Sequence, residues 1–147
     1  MSKKAFGKIA LAISAVICIA AFLAAQYLGG QKKTVNSYYT SLVRSEFSSF
    51  GDLFDSGVLS EETADKLSQE NDEFLSKLGS EENDIIHVRV NFKGREMTSL
   101  TTGKYFFTVT CYDNNAHDIT TEAKCFELVF SGLKWKLSSE RPLDVNI

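Results

Sequence analysis

The 147 residues include only two histidines and three cysteines, and this scarcity narrows the chemistry available. His87 and His117 are far apart in sequence, and no His, Cys and Asp cluster has the spacing of metal ligands, so a metal site is not expected. A surface position beside Arg89 and Asn91 accounts for His87, and a turn accounts for His117. No catalytic signature follows residue 34, so the chain reads as a non-enzyme with no catalytic or cofactor-binding residues. A basic stripe interleaved with aromatics is also missing. From residue 34 onward 11 Lys and Arg face 19 Asp and Glu, a net charge of −8 that repels phosphate and argues against nucleic acid as a partner. The acidic stretch from Glu61 to Asp84 lacks the alternating ligands and central glycine of a calcium loop and reads as a solvated helix face. No internal repeat or low-complexity tract divides the chain.

What is present begins with a long apolar run. Ile9 to Leu28 are 20 residues without a charge, preceded by Lys3, Lys4 and Lys8 and followed by Lys32 and Lys33. At about 1.5 Å per residue the run is roughly 30 Å of helix, the thickness of a bilayer's hydrocarbon core. A cleaved signal peptide fits less well, because the run is long and a cut after Ala24 or Ala25 would leave Phe22 or Leu23 three residues before the cut. Ile17 before Cys18 disfavours lipidation. Residues 1–8 carry +3 and a long domain crosses despite two flanking lysines. The expected layout is a cytoplasmic tail at 1–8, a transmembrane helix at 9–28, a polar linker at 29–34 (Gly-Gly-Gln-Lys-Lys-Thr) and an extracytoplasmic domain at 35–147. Its expected location is the cell membrane, crossed once.

Within that domain, Val35, Tyr39, Leu42, Val43, Phe47, Phe50, Leu53 and Phe54 recur at spacings of three and four, which predicts a helix from about Val35 to Phe54. A second helix is expected from Ser60, with Ala64, Leu67, Asn71, Phe74, Leu75 and Leu78 inward and Gly79 as its stop. From Asn83 the period becomes two. Ile86, Val88, Val90 and Phe92 form one face of a first strand that breaks at Lys93-Gly94-Arg95. Tyr105, Phe107, Val109 and Cys111 form one face of a second; Phe126, Leu128 and Phe130 belong to a third, and Trp135 and Leu137 to a fourth. Two helices followed by a meander imply an α+β domain, with the helices packed on one face of a curved antiparallel sheet of about four strands. Cys111 and Cys125 have opposite parities relative to their strands' apolar residues. Free thiols are therefore expected, unless a bulge near Thr120 to Ala123 brings the two cysteines to one face.

The stretch Phe126-Glu-Leu-Val-Phe-Ser-Gly-Leu-Lys-Trp-Lys-Leu137 resembles the closing hairpin of NTF2-like (cystatin-like, cone-shaped) domains. The resemblance extends over roughly residues 35 to 140, although Gly132 and Trp135 are separated by two residues where the usual pattern has one. It implies a sheet bent around a helix to leave a cone, which here would be lined by Phe107, Val109, Phe126, Leu128 and Trp135. An N-terminal anchor carrying such a domain is similar in layout to VirB8-like components of bacterial secretion channels. On that footing the expected function is binding or assembly with other membrane or envelope proteins, with homo-oligomers among the candidates. The alternative is a tethered receptor for a small apolar ligand in the cone.

Overall fold

The computed structural model describes residues 2–60, 66, 69, 71–76, 78 and 85–146. A single helix, α1 (Lys3–Arg44), takes up nearly the first third of the chain. Its 42 residues are about 63 Å long at 1.5 Å per residue. Ser2 caps it by accepting the Ala5 N–H at 3.2 Å. At the other end Ser45 adopts a left-handed conformation (φ 53°), its N–H donating to the Leu42 carbonyl while Glu46 N–H donates to Ser41. That paired closure satisfies the last carbonyls, and Arg44 complements the negative end of the helix dipole.

The helix differs from expectation at its middle and at its end. Residues 29–34, expected as a polar linker, are helical and lie within α1, because packing against the sheet outweighs the roughly 1 kcal/mol that each glycine costs a helix. The expected helix from Val35 to Phe54 ends at Arg44 instead, since the closure at Ser45 turns the chain. Phe47, Phe50 and Phe54 still reach the core, now through a short 3-10 turn at Phe50–Leu53. Of the expected second helix, residues 66, 69 and 71–76 are helical; Ala64, Leu67 and Gly79 lie outside the described residues. Asn71 and Leu78 are buried, as their place on the inward face implies.

The sheet is antiparallel. Strands β1 (His87–Met97), β2 (Thr102–Tyr112), β3 (Asp118–Ser131) and β4 (Lys134–Leu137) lie in sequence order, and a two-residue strand β5 (Leu143–Asp144) pairs with β3 beyond the end of β4. β1 does not break at Lys93-Gly94-Arg95. It absorbs the interruption as a bulge between Phe92 and Gly94 and pairs on to Met97 opposite Gly103. Val88, Val90 and Phe92 therefore oppose Cys111, Val109 and Phe107, and Tyr105 opposes Phe126. These residues form the inner face, on which the second half of α1 lies.

Gln31, Thr34, Val35, Tyr38, Tyr39 and Leu42 are the buried stripe of α1, at spacings of three, one, three, one and three. Phe126 is the hub of the core, in ring contact with Tyr38, Tyr39 and Phe107 at centroid distances of 5.9–6.0 Å. A second bulge falls between Cys111 and Tyr112, so that Cys111 opposes Thr120 and Tyr112 opposes Asp118. Because no further slip separates Thr120 from Cys125, the two cysteines stay on opposite faces, each buried and free.

Candidate functional site

Three places on the domain bring together side chains able to recognise something, and α1 positions two of them. The first is where α1 meets the sheet. Tyr27 is the penultimate residue of the apolar run, and its carbonyl accepts the Trp135 indole N–H at 2.7 Å and the Gln31 amide at 2.9 Å. Its hydroxyl donates to the carbonyl of Leu100, in the β1–β2 turn. Its ring stands edge-on to Phe130 at 5.4 Å. Thr34 places its hydroxyl 2.7 Å from the Trp135 carbonyl and 3.0 Å from that of Gly30. A side chain on Gly30 would meet the indole at 3.0 Å, so this glycine permits the close approach. By contrast, nothing lies within 4 Å of the same position on Gly29.

Beside this junction a cavity of about 510 Å³ opens between α1 and the β1–β2 pair. Leu28, Phe92, Tyr105 and Phe107 supply its apolar surface, and Lys32 and Arg95 its charge. The β1 bulge is what aims Arg95 here. Past the extra residue Lys93, Arg95 opposes Tyr105 on the inner face, while Glu96 opposes Lys104 on the outer one. Burial raises the Tyr105 phenol above its ordinary range, with a hydrogen bond to Gln31 opposing. A groove of about 520 Å³ on the other side of α1 joins Phe22 and Gln26 to Leu133, Trp135 and Leu53.

The second place is the far end of α1, where a smaller cavity of about 230 Å³ is lined by Tyr38, Tyr39, Asn71, Glu122, Lys124 and Arg141, among others. Lys124 pairs with Glu122 at 3.3 Å and with Asp144 on β5. Burial alone would lower the Lys124 pKa, but the two carboxylates outweigh it and the value is raised. Asn71 donates to Ser45 Oγ at 3.1 Å; its own Oδ1 is buried and has no hydrogen-bond partner among the described residues. Burial pushes the Tyr39 phenol well up, helped by its neighbour Tyr38.

The third place is the outer face of the sheet. His87 stacks on Tyr112 with ring centroids 5.2 Å apart, and its Nε2 lies 3.0 Å from Asn114 Oδ1. Arg89 covers the same tyrosine and pairs with Asp118 at 3.3 Å. His117 lies in the β2–β3 turn, where its N–H and that of Asn115 each donate to Asp113 at 2.9 Å and hold the Asp113 carboxyl below its ordinary range. Among the described residues no three His, Cys, Asp or Glu side chains group as a cation site.

The five residues expected to line a cone are brought together: Phe107, Val109, Phe126, Leu128 and Trp135 are all buried in one cluster. Phe107 borders the cavity beside β1, and Trp135 borders the groove. Leu28, Lys32 and Arg95 carried no signal in the sequence, since their meeting depends on the bulge and on the continuity of α1. The chain matches no known protein-family profile and no curated protein sequence. The fold thus defines a class, an α+β domain carried on a helix long and apolar enough to cross a membrane.

Proposed function

We propose that this chain is a single-pass membrane protein whose C-terminal domain works outside the cytoplasm as a binding or assembly module, by contact rather than catalysis. One observation carries the reading. The apolar segment of α1, exposed at every residue from 9 to 22, continues without a break into the helix that packs on the domain's core. Apolar surface on that scale requires a non-aqueous partner, and 20 uncharged residues match a bilayer. A stiff junction suits a module that must present its outer face at a fixed height and angle to neighbouring envelope proteins. The NTF2-like arrangement and the likeness in layout to VirB8-like channel components belong to this proposal, as do a cytoplasmic N-terminus and self-association.

The partners are proteins meeting the His87, Arg89 and Tyr112 surface or the acidic segment after Ser60. Purification of the full-length protein from native membranes in mild detergent, beside a version ending at residue 33, tests this. Stoichiometric envelope proteins that depend on residues 34–147 support the reading, and a partnerless full-length protein contradicts it. The cavity bordered by Tyr105 and Phe107 favours a second reading, a tethered receptor for an apolar molecule.

A further inference from the structure

The sheet has two unlike ends. At the end beside Tyr27 the apolar side chains lie outside: Leu100 is 83% exposed in the β1–β2 turn, Leu133 58% in the β3–β4 turn and Phe92 52% on β1. Lys32, Arg95, Lys104 and Lys134 are exposed among them. At the opposite end the charge is mixed and largely paired: Asp118 pairs with Arg89, and Glu122 and Asp144 pair with Lys124. The first end is also the one that touches the apolar run. Leu100 accepts the Tyr27 hydroxyl through its carbonyl, and Leu133 shares a groove with Phe22 and Gln26. With residues 9–28 in a bilayer, both hairpin tips stand at the level where hydrocarbon gives way to headgroups. Tyr27 is there too, a residue type enriched at that boundary.

The 510 Å³ cavity opens at the same level, since Leu28 closes the apolar run and forms part of its wall. Its surface is largely apolar, which gives water few partners. Lys32 and Arg95 have no ion-pair partner among the described residues, and Glu96 faces the other side of the sheet. An occupant must therefore be apolar along one part, anionic at another and available at the membrane surface.

We propose that this cavity is a binding site for an anionic phospholipid of the bilayer that α1 crosses, its chain against Leu28, Phe92 and Phe107 and its phosphate between Lys32 and Arg95. The proposal rests on the membrane-anchored reading above. The bound lipid fixes the near end of the sheet on the headgroup layer and leaves the opposite end, with its paired charges, facing away.

The test is native mass spectrometry of the full-length chain released from nanodiscs of equimolar phosphatidylglycerol and phosphatidylcholine, after alkaline carbonate washing has shown that the protein is embedded. Phosphatidylglycerol is expected to remain bound in preference to phosphatidylcholine. Lys32→Gln and Arg95→Gln should each lower that preference about fivefold, as the loss of one cation at an anionic surface implies. Gly29→Phe keeps every charge and fills the cavity from a position with open space around it, and should abolish retention. Gly29→Ala should retain the lipid. Equal retention of both lipids, or wild-type retention by Gly29→Phe, overturns the lipid site while leaving the anchor intact. Release of the protein by carbonate overturns the anchor and the site together.

Discussion

The two halves of α1 share one backbone and differ in what covers them. Residues 9–22 are exposed, whereas Gln31, Thr34, Val35, Tyr38, Tyr39 and Leu42 are buried. The difference lies in pattern, not in total apolarity. The first half is apolar all round, as lipid requires, and the second carries one apolar stripe with Lys32, Lys33 and Asn36 outside it. The change of environment at Tyr27 therefore comes without a change of secondary structure.

The sharpest contrast between the halves concerns stability. Phe126→Ala removes the ring against which Tyr38 and Tyr39 pack and should cost the domain about 3–5 kcal/mol, read as a lower thermal midpoint. Ile13→Ala in the exposed half should leave that midpoint unchanged. Next comes the junction. Gly30→Ala pushes a methyl against the buried Trp135 ring and should destabilise by about 1–3 kcal/mol, while Gly29→Ala adds helix propensity and should stabilise by up to about 1 kcal/mol. Equal effects from the two glycines would mean that α1 does not lie on Trp135 as described.

Smaller effects are read by pH, at the end of the sheet away from Tyr27. The Asp113 pKa is lowered in the folded protein, so the order it gives the turn is present above its ordinary value of 3.8 and is lost as pH falls through the lower folded value. Amide exchange at Asn115 and His117 should quicken there, and Asp113→Asn should quicken it at neutral pH. The Lys124 pKa is raised, so its contribution is present below its ordinary 10.5 and fades as pH rises through the higher folded value. Chemical shifts of Cys125 and Leu143, paired across β3 and β5, should then move together in the alkaline range. Burial also pushes the Cys111 and Cys125 thiols up, and both should resist alkylation until the domain unfolds, the smallest change in any readout.

The strand faces were legible because alternation is read directly from sequence: Tyr105, Phe107, Val109, Phe126 and Leu128 all lie where their parity puts them. Cysteine parity held for the same reason. The helix boundaries were not legible. Gly-Gly-Gln-Lys-Lys-Thr has the composition of a loop, and only the sheet beneath it explains why Gly30 must be small and Thr34 buried. Ser45 in a left-handed conformation has no sequence signal comparable to a glycine. β5 is too short to show a period. The cavity between α1 and the β1–β2 pair could not be read at all, because Leu28, Arg95 and Phe107 come from three elements and meet only after a bulge.

The central claim is that one unbroken helix joins the membrane to the domain core. Spin labels at Ser14 and Asn36, both exposed and on either side of Gly29-Gly30, test it in full-length protein in nanodiscs by pulsed electron–electron resonance. A continuous helix places the two backbones about 33 Å apart at 1.5 Å per residue, with a single narrow distance distribution. A broad or two-peaked distribution would show a hinge at the glycines and contradict the account.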